Sequence, residues 1–281
     1  MWLSLRNEAI KIYQRKRSYL AFGAFLLLLI LMYLGMTYSR KPYLVRMTSE
    51  AGLRLADFMD GMFFAAMAIL PTLNLLYPVF VSLMAGDMIA GEAQEGTLRT
   101  LLARPVARWR VLTAKLLAMQ VYLGVLCLSF AGMSLLVGSV CFGAPGDLLL
   151  PEAFFDLGAG LRIVPAREAM WKLVAAYLYA GAAGMVLASL GLAVSVLSNN
   201  AASAVITTLV IYFIAHILGN IPPLREFRPF LFSTHLEAWK LLFFDPVPWN
   251  NLIRSGTMAL AFTATFFILS LLFFVRKDIH Q

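Results

Sequence analysis

Residues 91–110, GEAQEGTLRTLLARPVARWR, are dense in charge, broken by glycine and proline, and set between two long runs without Asp, Glu, Lys or Arg. The runs are 61–86 and 116–146. Each is long enough to cross a bilayer as a helix, which takes about 20 apolar residues. Working outward, three more uncharged runs occupy 18–39, 173–224 and 255–275. The run 173–224 would be about 78 Å long as one helix, against a hydrocarbon core of about 30 Å, so it must fold back. The hinge is SNNAAS, Ser198 to Ser203, whose asparagines suit a turn.

The expected fold is therefore an all-α membrane protein with six transmembrane helices, 18–39, 61–86, 116–146, 173–197, 203–221 and 255–275, forming one transmembrane domain over 1–281. Composition agrees. Hydrophobic residues make up 61% and charged residues 14%, where a soluble domain has roughly 25% charged. Aromatic residues at 13% exclude a disordered chain. The net charge of +8 does not point to nucleic acid, because the basic residues cluster at the ends of apolar runs, where they set orientation in lipid. Cys127 and Cys141 share one apolar run, which offers neither a disulfide framework nor a CxxC metal site.

Six crossings put both termini on one side. Raw counts of Lys and Arg barely separate the two sides. Their density near the span ends places the termini, 91–110 and the Asn turn in the cytoplasm. Before the first span, Trp2, Leu5, Ala9 and Ile12 recur at helical spacing opposite basic residues, so 1–17 reads as an interfacial helix on membrane lipid rather than a removed signal peptide. On the outer side, REFRPFLFSTHLEAWKLLFFDPVPW (225–249) is too short in apolar residues to span but enough for a structured loop, with Trp239 and Trp249 expected in the interfacial belt. His216 stands within the fifth span with no carboxylate near it in sequence, and reads as a packing residue. Gly181, Gly184, Ser189, Gly191 and Ser195 in the fourth span would let a neighbouring helix approach closely.

Within the strip itself, Asp87, Glu92 and Glu95 have no His or Cys beside them, so they read as solvated carboxylates rather than a metal or acid–base site. No GxxxxGK[ST] loop occurs, so this chain carries no phosphate cradle of that kind. The pattern is helix, break, helix. The second span continues through Glu92, Gly96 turns, Thr97 caps a short helix with Leu98, Leu101 and Leu102, and Pro105 stops that helix or starts the next. A helix with Arg108, Trp109, Arg110 and Lys115 then re-enters the membrane. Leucines exposed on a short helix held off the membrane want a partner.

This strip resembles the signature of the permease subunits of type-2 ABC exporters, the ABC-2 membrane family. The matching positions are Gly91, Glu92, Glu95, Gly96, Thr97, Leu98, Leu101, Leu102, Arg104, Pro105, Val106, Arg108 and Lys115. Arg99 departs from it, since many members carry an acidic residue there. A weaker likeness covers the whole chain, from the basic start to FFVRKDI at 273–279. The resemblance implies a transport subunit that is not an enzyme and binds no cofactor, with ATP and Mg on separate cytoplasmic ABC ATPase subunits. It also implies pairing with a second permease copy or paralogue, residence in the bacterial inner membrane, and a coupling helix at 91–110 that seats in the ATPase. Two rival readings are a membrane enzyme or metal-handling maturation factor built around His216, and a channel or scaffold without an ATPase.

Overall fold

The computed structural model describes residues 2–14, 16–38, 42–50, 52, 54–97, 107–155, 158 and 160–276. Helix α1 (Trp2–Gln14) precedes six membrane-length helices: span one Arg17–Tyr38, two Gly61–Gln94, three Arg108–Phe142, four Ala166–Leu197, five Ala201–Asn220 and six Trp249–Arg276. The helices outrun the uncharged runs, notably at Arg108 and Ala166. A charged residue ends a hydrophobic run but not a helix, whose backbone bonds continue into the headgroup layer. The fold-back between spans four and five lies between Leu197 and Ala201. Asn200 caps span five, its side chain accepting from the Ala202 N–H at 2.8 Å.

Spans two and four form the centre. Of the most apolar window of each helix, 83% is buried in span four and 61% in span two, but only 17% in spans one and six. The small residues of span four account for its place. A Cβ built on Gly191 would stand 2.6 Å from the Cβ of Ala85 in span two, which cannot rotate away. Close approach within one chain is thus the use of this stripe.

Span two is interrupted by a π-helical turn at Thr72–Leu76, between Pro71 and Pro78. Pro78 has no N–H to offer the carbonyl four residues back, Asn74. The Tyr212 hydroxyl of span five donates to that carbonyl at 3.3 Å. Tyr77, at the end of the turn, donates to the Ala180 carbonyl of span four at 3.0 Å.

At the end opposite α1, the chain adds structure that the hydrophobic pattern does not announce. Leu148–Pro151 (β1) pairs antiparallel with Leu161–Val164 (β2), closed by the Glu152–Arg162 ion pair at 2.7 Å. Short helical turns follow over Pro222–Phe230, Phe232–Leu236 and Glu237–Phe243, the last of which meets Phe155 of the hairpin connection through Trp239 and Phe243. Trp239 is not a belt residue. It is fully buried, edge-on to Phe155 and Phe243, whereas Trp249 is exposed as expected. The difference is that Phe155 comes from the hairpin and supplies a partner the sequence reading did not foresee.

Gly191→Val should lower the thermal stability of the detergent-solubilised protein by about 1–3 kcal/mol, the usual cost of overpacking. Gly132→Val is the control, since Gly132 has nothing within 4 Å. Intrinsic tryptophan fluorescence during a thermal ramp reads both.

Candidate functional site

The roots of the 91–110 strip are held by buried charge. Lys115 at the start of span three lies 2.8 Å from Glu92 Oε1 at the end of span two and 3.0 Å from Glu8 Oε2 on α1. Lys11, one turn along α1, closes the circle at 3.0 Å from Glu8 Oε1 and 3.1 Å from Glu92 Oε1. Two carboxylates and two ammonium groups therefore form a neutral ring. The Lys115 and Glu92 side chains are only 3% and 4% exposed, while Lys11 is 45% exposed and reaches out toward solvent. Beside the ring, Arg17 at the start of span one pairs with Asp87 at 3.0 Å. The reading of Asp87 and Glu92 as solvated carboxylates is thus corrected. Both are buried, because their cationic partners come from α1, span one and span three rather than from the strip.

Helix α1 makes this possible by lying against the bundle. Ile12 is buried, and Glu8, four residues earlier, falls on the same face. Tyr13 meets the ring of Tyr122 in span three edge-on. Ser18 donates its hydroxyl to the Ile12 carbonyl at the corner into span one. The inward face of α1 therefore carries a charged residue that apolar periodicity assigns to water. The side chains of Trp2, Leu5 and Ala9 lie outside the description.

The predicted strip residues take different positions. Glu95 and Gly96 form the C-terminal cap of span two. The Glu95 N–H bonds the Gly91 carbonyl at 3.0 Å, and the Gly96 N–H bonds Ala93 at 3.2 Å. Gly96 has φ +70°, the left-handed conformation that suits glycine after a helix. Thr97 donates its hydroxyl to the freed Glu92 carbonyl at 3.3 Å. Glu95 and Thr97 are both exposed. Leu98, Arg99, Leu101, Leu102, Arg104 and Pro105 lie outside the described residues. Arg108 turns inward to the last span, donating to the carbonyls of Phe274 and Val275 at 2.9 and 2.8 Å, a cation on a helix C-terminus. Trp109 is half exposed with Arg110 over its ring.

On its other flank the same stretch of span two is fastened to spans four and five. Ser195 is fully buried. It accepts from the Ile89 and Ala90 N–H groups at 3.0 and 2.9 Å and donates to the Gly86 carbonyl at 2.6 Å. The Gln94 side-chain oxygen accepts from the Ala201 N–H at 3.1 Å, which ties the end of span two to the start of span five.

The sequence matches the family described as "ABC-2 family transporter protein" over residues 2–279. The chain belongs to that family. No curated protein matches it. As an ABC-2 chain it is a transmembrane permease component of an ABC transporter, not itself an enzyme. Permeases of this family associate with ABC ATPases as a class.

In this ABC-2 chain His216 has a carboxylate partner that its sequence neighbourhood hides. Glu237, from the turn before span six, lies 2.5 Å from His216 Nδ1, and Lys240 reaches the other Glu237 oxygen at 2.9 Å. Burial alone would raise the Glu237 pKa, but His216 and Lys240 hold it below the ordinary 4.5. The His216 ring also stacks on Tyr212. Among the described residues, no three His, Cys, Asp or Glu side chains gather around it as a ligand set. The geometry is that of a tie between span five and the turns before span six.

Removing Lys115, the buried cation of the ring, strands the Glu8 and Glu92 carboxylates, whereas Lys11 meets them from the solvent side. Lys115→Ala should cost about 3–5 kcal/mol, the penalty for breaking a buried pair, and Lys11→Ala under 1 kcal/mol, as for exposed pairs. Unfolding of the purified protein with both variants measured side by side separates these values. Glu8 adds a pH signature. Its burial would raise the pKa, but Lys115 and then Lys11 hold it below 4.5. A depressed folded-state pKa contributes stability that is fully present above the unfolded value and lost as pH falls through the folded one. Melting temperature should therefore fall below pH 4.5, and Glu8→Gln should flatten that fall.

Proposed function

We propose that this chain is the membrane subunit of an ATP-driven exporter and that residues 91–110 form the segment on which a separate cytoplasmic ABC ATPase docks. The observation that carries this reading is the neutral ring of Glu8, Lys11, Glu92 and Lys115. It fixes both roots of a segment whose described residues Glu95 and Thr97 are exposed and whose sequence continues with Leu98, Leu101 and Leu102. A rigid mount with a partner-seeking tip suits transmission of force. Arg108, bound to the end of span six, adds a third anchor.

In this reading Glu92, Arg108 and Lys115 hold the segment, and Glu95, Thr97 and the leucines meet the ATPase. ATP and Mg sit on that partner. Closure of two ATPase subunits displaces the segment, and the bundle shifts between two states, biased by a ligand this chain does not bind. The largely uncovered faces of spans one and six leave room for lipid and for a second permease copy or paralogue. Both termini and the strip face the cytoplasm of a bacterium, with the hairpin and the Glu237 turn outside.

Alanine at Glu95, Leu98 and Leu101 together should abolish co-purification of the partner ATPase, or its permease-dependent activity, while membrane levels stay unchanged. Normal coupling in that triple variant would sink the docking assignment.

A further inference from the structure

A movement imposed on the 91–110 segment must leave the α1 end by some path, and span two is the natural carrier. Its last turns, from Gly86 to Gln94, are gripped on two sides. The charged side faces α1, span one and span three, through Asp87 and Glu92. The other side faces span four, and there its polar fastening is Ser195. That one hydroxyl meets three backbone groups of span two, bridging the Gly86 carbonyl to the Ile89 and Ala90 N–H groups. A side chain inserted into a helix's own hydrogen-bond ladder couples the two helices more tightly than surface packing does. It also sits in a dry interior, where a hydrogen bond is electrostatically stronger than in water.

We propose that the Ser195 hydroxyl is the positioning group through which displacement of the docking segment is passed from span two to spans four and five. This rests on the docking reading of 91–110. Ser195 belongs to span four, the most buried helix of the bundle, and meets span two beside the residues that anchor the segment. The Gln94–Ala201 bond adds a second tie, so the end of span two, span four and the start of span five move together. The π-helical turn at Thr72–Leu76 sits farther up span two and marks where the lower part can pivot against the upper.

Ser189 supplies the comparison the test needs. It is on the same helix and just as fully buried, but among the described residues its hydroxyl bonds only the Val186 carbonyl of its own helix, at 2.8 Å. Ser189→Ala and Ser195→Ala therefore remove the same atom from the same helix, and only the second cuts a link between spans. The experiment uses the full permease–ATPase complex in lipid nanodiscs. Cys141 is first replaced by Ser, and spin labels are placed at Val121 of span three and Ile206 of span five, both exposed. The 121–206 distance is compared without nucleotide and after trapping with Mg-ATP and vanadate.

The expected result is a nucleotide-dependent shift in the otherwise wild-type complex, its retention in Ser189→Ala, and its loss in Ser195→Ala with the ATPase still co-purifying. A full shift in Ser195→Ala would overturn the proposal, as would equal loss in both variants or no shift in the wild type. Absence of the ATPase from the wild-type preparation would instead overturn the docking reading, and the relay with it.

Discussion

Four charges buried against a bundle of oil are the constraint around which the α1 end is arranged. A carboxylate taken from water without a partner is costly enough to prevent folding of that region. Glu92 and Glu8 can be buried only because Lys115 and Lys11 meet both of them. The ring in turn demands that α1 lie along span three, that span one begin beside Asp87, and that spans two and three approach at their ends. Its net charge is zero, so it serves as a fastening that the membrane tolerates.

From that fastening the logic of span two follows. Its lower part is tied down by charge on one face and by Ser195 and Gln94 on the other. Its middle is loosened by Pro71, Pro78 and the π-helical turn, with the carbonyl freed by Pro78 taken up by Tyr212. A helix firmly held at one end and interrupted at its centre is built to move as two parts. At the end opposite α1, Phe155 of the hairpin connection packs on Trp239, and the His216–Glu237 pair ties the turns before span six to span five.

Much of this was legible in the sequence, for physical reasons. Crossing a bilayer requires long uncharged runs, so six spans and the Asn turn could be counted before any coordinates. The strip at 91–110 could be picked out because its charges fall between two long uncharged runs, with Gly96 and Pro105 breaking it. Burial of Glu92 and Asp87 was not legible, because it depends on which distant cations the fold delivers. Lys11 and Arg17 were visible as a basic flank, but a flank that sets orientation and one that fills a buried ring look alike. The same limit hid the Glu237 partner of His216 and the Phe155 partner of Trp239. The β hairpin escaped for a different reason, since four-residue strands between long apolar helices leave no periodicity to read.

The central claim is that the ring presents 91–110 to an ATPase at the α1 end of the bundle. A photo-crosslinking amino acid placed at Leu101, compared with one at exposed Phe227 in the turns at the end opposite α1, tests it most directly in native membranes. The account predicts that position 101 captures an ABC ATPase and position 227 does not, and that Lys115→Ala weakens the capture at 101 in whatever protein remains folded. Capture of the ATPase at 227 with none at 101 would contradict it.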